Sequence, residues 1–125
     1  GVARFELLEK LSSNKQLTKE EENENAILNK RIEAICQHAY NANVPIYFDA
    51  EESWIQPAID KIAESMMEKF NKEKAIVLTT LQMYRHDRIE YLKVLIKKSR
   101  ENKRFLGINW FGARTGKKKT NVLTN

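Results

Sequence analysis

Ile46-Tyr47-Phe48-Asp49-Ala50-Glu51-Glu52-Ser53-Trp54-Ile55-Gln56-Pro57-Ala58-Ile59 decides the fold class of this chain. An apolar run ends on an acid, and a helix-opening pattern follows at once. The run Val44–Phe48, bounded by Asn43 and Asp49, reads as a short buried strand. Ser53 offers a helix N-cap, and Pro57 falls in the first turn, where its missing N–H costs little. The helix expected from Trp54 to Phe70 carries Ile55, Ile59, Ile62, Met66 and Phe70 at helical spacing, with Met66 and Met67 as core filler. A strand that ends on a carboxylate and runs into a helix is how a barrel-type βα unit presents an acid to a pocket.

The same order recurs downstream. Ala75–Leu78 is a second apolar strand, and Asp87–Asn102 a second helix with Ile89, Leu92, Leu95 and Ile96 as its stripe. Phe105–Ile108 begins a third strand. Strand, helix, strand, helix, strand with short connections argues for parallel βαβ units. No glycine fingerprint for a dinucleotide and no P-loop spacing occurs, so a barrel segment is favoured over a nucleotide-binding doubly wound sheet. Upstream, Phe5, Leu7, Leu8 and Leu11 form a short helical stripe broken by Ser12-Ser13-Asn14. Thr18 with Glu21 spells a capping box, predicting a helix over Lys19–Tyr40 with Ile27, Ile32, Ile35, Cys36 and Ala39 toward a core. Glu20, Glu21 and Glu22 suit its macrodipole, and Asn41-Ala42-Asn43 ends it.

Bulk properties bound the function. At 125 residues the chain makes one domain at most, and 42% hydrophobic with 31% charged residues is ordinary for a soluble globular chain. No apolar run approaches the ~20 residues of a membrane span, and no signal peptide opens the chain. The first residue is Gly1 rather than Met, which reads as a trimmed or partial chain. Cys36 is the only cysteine; it excludes an internal disulfide and fits a reducing compartment. At helical spacing from Ile32 it reads as a buried structural thiol, with His38 on another face. The net charge of +5 belongs to the tail: Arg114, Lys117, Lys118 and Lys119 lie in Asn109–Asn125, which has no acid. Without them 18 basic residues face 17 acidic ones, so no nucleic-acid footprint is expected on the body.

Among chemistry-bearing residues, Asp49 stands first. Glu51 and Glu52 read as helix-start charges, His86 as a helix-start histidine with no second ligand at metal spacing, and Arg85 and Arg88 as surface charges. Val77 and Thr79 lie two apart on one strand and share a face.

Together with Ile76-Val77-Leu78-Thr79-Thr80-Leu81-Gln82-Met83-Tyr84-Arg85-His86-Asp87-Arg88, the opening stretch resembles the catalytic barrel of proline dehydrogenase, over about Gly1–Ile108. The resemblance implies a fold of the α/β class: a fragment of a (β/α)8 TIM-type barrel, some three βα units plus an N-terminal helical segment. It implies a parent reaction, the FAD-dependent oxidation of L-proline to pyrroline-5-carboxylate, with a quinone as electron acceptor. The protein would be cytoplasmic, peripheral to the inner membrane, and mitochondrial in a eukaryote. By the same resemblance Asp49 is the catalytic-site acid that holds the substrate amine or a neighbouring cation. Val77, Thr79 and Gln82 inherit flavin contacts and no metal is implied. Thr79 departs from the family, which tends to an amide there.

After Ile108 the resemblance stops. The family continues with a motif close to K-L-V-R-G-A-Y, whereas this chain reads Asn109-Trp110-Phe111-Gly112-Ala113-Arg114-Thr115. Both can be encoded by the string ATTGGTTCGGGGCGCGTAC read one base apart. The expected organisation is therefore a partial barrel over 1–108 and a basic, disordered, out-of-frame tail over 109–125. The barrel lysine upstream of Gly1 and the later flavin-phosphate and substrate-carboxylate residues are absent. Such a chain is expected to be inactive alone, to bind FAD weakly and to self-associate through open sheet edges. Two other readings compete. A small helical interaction module would show no strand, and a basic-tailed nucleic-acid binder would keep its affinity without Asn109–Asn125.

Overall fold

A computed structural model describes residues 4–111 and 118–123. The chain runs α1 (Phe5–Ser12), α2 (Lys19–Ala42), β1 (Ile46–Phe48), α3 (Gln56–Phe70), β2 (Val77–Gln82), α4 (His86–Asn102), β3 (Leu106–Phe111) and β4 (Lys118–Leu123). The strands form one sheet in the order β1-β2-β3-β4. β1 pairs parallel to β2, and β2 parallel to β3, in the registers Phe48↔Thr79 and Thr79↔Ile108. The expected βαβαβ order is present, and a purely helical module is excluded. The observed architecture is mixed α/β with three parallel strands and an antiparallel fourth.

Helix boundaries follow the local chemistry. Thr18 Oγ1 accepts the Glu21 N–H at 3.2 Å while the Thr18 N–H donates to Glu21 Oε1 at 3.0 Å, so the capping box opens α2 as expected. Asn43 closes it in the left-handed conformation, φ 57°. α3 differs from expectation. It begins at Gln56 rather than Trp54, and Ser53 does not cap it. The carbonyl of Glu52 takes the N–H groups of both Ile55 and Gln56, a turn that delays the helix until Pro57 can sit in its first turn.

The two crossovers put α3 and α4 on the same face of the sheet, as right-handed connections require. On that face Val77, Leu81, Leu106 and Ile108 pack with Met66, Met67, Phe70 and Leu95, and with Leu28, Ile32 and Cys36 of α2. The stripe of α2 runs through Leu28 rather than the expected Ile27 and Ile35, which are 50% and 43% exposed. The four-residue steps Leu28, Ile32, Cys36 keep one line on the helix, and the two isoleucines lie beside it. Ile89 is likewise at the surface, leaving Leu95 as the buried anchor of α4.

Asn71, fully buried after α3, staples the amino ends of the strands. Its Nδ2 donates to the carbonyls of Val77 (2.8 Å) and Phe105 (3.0 Å), and its Oδ1 accepts the N–H groups of Ile76 (3.0 Å) and Val77 (2.9 Å). The strands are therefore fixed at one end and free to present residues at the other.

The disordered tail expected from Asn109 meets a different arrangement. β3 continues to Phe111, and Lys118–Leu123 pairs antiparallel with it from Leu106↔Leu123 to Phe111↔Lys118. A ladder needs only backbone groups, so an open strand edge can recruit a segment that lacks apolar periodicity. Residues 112–117 and 124–125 of that tail lie outside the described residues.

Candidate functional site at the carboxyl ends of the parallel strands

Parallel strands share one carboxyl end, and in open or closed α/β sheets that end is where ligands bind. Asp49 emerges there, one residue past the Phe48↔Thr79 pair, exposed at the end of β1. It lines a hollow of about 320 Å³ whose apolar wall includes Ile46, Phe48, Ile55 and Ile59. Gln82 ends β2 and lines a neighbouring hollow of about 430 Å³ with Glu51, Glu52, Ser53, Trp54 and Arg85. Glu51 lines both. Glu51 and Glu52 were expected as helix-start charges; they stand instead in the turn before α3, at this mouth.

Strand alternation separates the remaining residues. Val77 and Thr79 share a face as expected, but it is the face under the helices, where Val77 joins the main core. The Thr79 hydroxyl is buried there without a hydrogen-bond partner. The opposite face carries Leu78, Thr80 and Gln82 of β2 beside Gly107 and Asn109 of β3. Asn109 Nδ2 approaches Thr80 Oγ1 at 3.4 Å, and both residues are buried. Gly107 allows a close approach here: a Cβ would come within 2.5 Å of Leu78 Cγ, so any larger residue would force the buried Leu78 side chain to move. Of the polar row Thr80, Gln82 and Asn109, Gln82 shares a hollow with Glu51 and Glu52 of the turn that follows Asp49, and it alone stands out in the sequence. The signal available was parity with Gln82: Thr80 is two residues before it on the same strand.

Arg85 donates to Gln82 Oε1 at 3.3 Å and to Asp87 Oδ2 at 2.9 Å, which ties the β2–α4 turn together. Arg88 corrects the expectation of a surface charge. It is 7% exposed and forms a two-pronged ion pair with the equally buried Asp60, at 2.7 and 2.8 Å. His86 opens α4 at the surface. Cys36 is fully buried, and burial, with Glu33 nearby, pushes its thiol up to about 11, which fits an inert structural residue. Among the described residues no group of His, Cys, Asp and Glu is arranged to hold a metal ion, and no helix is long and apolar enough to cross a membrane.

The family model for proline dehydrogenase matches residues 3–109. The chain belongs to the proline dehydrogenase family. It is 41% identical over 83 residues to proline dehydrogenase 1, mitochondrial, of Arabidopsis thaliana, covering 65% of this chain and 17% of that protein. It is 33% identical over 78 residues to the Drosophila melanogaster protein of the same name, covering 62% of this chain and 12% of the relative. The carbapenem antibiotics biosynthesis protein CarD of Pectobacterium carotovorum is 30% identical over 78 residues, covering 62% of this chain and 21% of CarD. The chain therefore corresponds to a fragment of such a protein, spanning under a quarter of the length of each of these relatives. No solved structure matches it. The family match ends at Asn109.

Proposed function

We propose that this chain is the part of a proline dehydrogenase that carries the substrate-side acid, and that the whole protein oxidises L-proline to pyrroline-5-carboxylate. The carrying observation is the family match over residues 3–109 joined to the position of Asp49, directly at the carboxyl end of a parallel strand. In the complete protein these units would belong to a (β/α)8 barrel, which needs eight strands and typically ~250 residues. The chain spans 17% of its Arabidopsis relative, so most of that barrel would come from other parts of the protein.

FAD would supply the acceptor for the hydride that leaves proline, and a quinone would take the electrons onward. Asp49 would hold the substrate ammonium or a neighbouring cation by charge and hydrogen bonding. Gln82 has an amide that both donates and accepts, and Thr80 on the same strand face has a hydroxyl; such a donor set fits the polar edge of a flavin ring. Val77 and Thr79 would support that row from the helix side rather than touch the cofactor. The hollow lined by Glu51, Gln82 and Arg85 is about 430 Å³, within the range of small-ligand sites. Tight FAD binding by this chain alone is not expected. The Arabidopsis and Drosophila relatives are named as mitochondrial, which supports a mitochondrial protein in a eukaryotic source; such a protein would be peripheral to the inner membrane.

We infer further that the coding sequence is displaced by one base after codon 108. The end of the family match at Asn109 supports this. Sequencing the coding DNA through codons 105–125 tests it directly. The full-length, in-frame protein should then reduce a dye in a proline-dependent manner, and Asp49→Ala should lower that turnover sharply. Unchanged turnover would reduce Asp49 to a structural residue at a strand end.

A further inference from the structure

Between α3 and α4 runs a buried polar chain that packing alone does not require. The backbone N–H of Glu51 donates to Gln56 Oε1 at 2.7 Å. The amide nitrogen of Gln56 then donates to Asp60 Oδ1 at 2.9 Å. Asp60 receives both prongs of the Arg88 guanidinium, Nη1 to Oδ2 at 2.8 Å and Nη2 to Oδ1 at 2.7 Å. Arg88 in turn lies over the Tyr91 ring, 4.4 Å from its centroid, and the Tyr91 hydroxyl donates to Glu64 Oε2 at 2.9 Å. Gln56, Asp60 and Arg88 are only 3%, 8% and 7% exposed.

Chemistry fixes the direction of this relay. The Glu51 N–H needs an acceptor, so Gln56 must turn its oxygen to it and its NH2 to Asp60. The carboxylate of Asp60 accepts that NH2 and is neutralised by Arg88. Ordinary helix packing would be served as well by apolar residues, because a buried ion pair is costly to desolvate and contributes little net stability. What apolar residues cannot do is hold the backbone of the Asp49–Ser53 turn. The other end of the relay, Arg88, lies in the first turn of α4, its N–H bonded to the Arg85 carbonyl of the turn that follows Gln82. The two turns come from different βα units, and together they line the hollow between Glu51, Glu52, Gln82 and Arg85.

We propose that Gln56, Asp60 and Arg88 are positioning residues that fix the turn bearing Asp49 and Glu51 relative to the turn Gln82–Arg85, and so set the width of the mouth between them. The functional meaning rests on the reading of Asp49 as the substrate-side acid; the mechanical claim does not. Failure of that reading would appear as an Asp49→Ala protein with undiminished turnover, and would leave the result below unchanged.

The test is residue-resolved amide exchange by NMR on this chain. Gln56→Met removes the acceptor for Glu51 while leaving Asp60 and Arg88 paired. The double variant Asp60→Leu/Arg88→Met removes the anchor for Gln56 while keeping an apolar core. In both, the Glu51 amide should exchange roughly tenfold faster or more, with shifts at Asp49 and Gln82 and unchanged protection in the middle of α3 and α4. Arg88→Lys, which keeps one charged donor, should recover part of the protection. Wild-type protection at Glu51 in a folded Gln56→Met protein would overturn the proposal. So would a loss of protection spread evenly over both helices, which would mark the relay as packing only. Should the double variant fail to fold, Gln56→Met carries the test alone.

Discussion

Replacing Asn71 by Ala should be among the most damaging single changes in this chain. The Asn71 side chain satisfies four backbone groups at the amino ends of β2 and β3: the carbonyls of Val77 and Phe105 and the N–H groups of Ile76 and Val77. The residue is fully buried, with no solvent path to replace those bonds. At roughly 1 kcal/mol net for each hydrogen bond, the loss is about 4 kcal/mol, and more if the stranded groups bear their full desolvation penalty. That is a large part of the 5–15 kcal/mol typical of a small domain. Asn71→Asp keeps the two acceptor bonds but aims a carboxylate at two carbonyl oxygens, so it should be no milder. Urea unfolding followed by circular dichroism provides the assay. With a slope of about 1–3 kcal/mol per molar, the midpoint should fall by roughly 1.3–4 M, or the cooperative transition should disappear. A midpoint shift worth less than about 1 kcal/mol would refute the argument that these backbone groups depend on one side chain.

Thr79→Val should stabilise the fold by about 1 kcal/mol, since the buried hydroxyl has no partner and the apolar replacement fills the same site; a lower urea midpoint would contradict this. Glu21 is held down to about 2 by Lys10 and by the Thr18 N–H, so the α1–α2 tie is complete above the ordinary carboxylate value and is lost as pH falls toward 2. Glu21→Gln should flatten the acid limb of thermal stability over that window, and an unchanged acid limb would argue against the tie. Cys36 has its thiol raised to about 11, so the stability it contributes is complete below the ordinary thiol value near 9 and is lost as pH rises through 11; the thiol should resist alkylation at neutral pH until the chain is unfolded. Among the described residues no strand pairs with the outer edge of β1, and Val44 and Tyr47 there are 54% and 45% exposed. Gel filtration should therefore show concentration-dependent association, and a sharp monomer peak at all concentrations would count against an adhesive edge.

Much of the architecture was legible in the sequence because it rests on local chemistry. The capping box at Thr18 and Glu21, the αL stop at Asn43 and the acid closing the Ile46–Phe48 strand need only neighbours a few residues away. The alternation of apolar strands with helical stripes fixed the βαβαβ order, and the two long motifs identified the family. Spacing also showed that Val77 and Thr79 share a face, but not which face. That depends on the side to which α3 and α4 cross, a long-range property, and it moves the polar row to Thr80, Gln82 and Asn109. The pairing of Asp60 with Arg88 is invisible in the same way: the residues stand 28 apart, and each alone looks like a solvated helix charge. Four hydrogen bonds on Asn71 arise only when the ends of β2 and β3 meet. The strand at Lys118–Leu123 pairs with the edge that β3 offers, a condition written in the sheet rather than in the segment itself. Local sequence set which elements form and what chemistry they hold; only the packing of distant elements decided which side chains meet at the mouth, because burial and pairing belong to the assembled surface and not to any one segment.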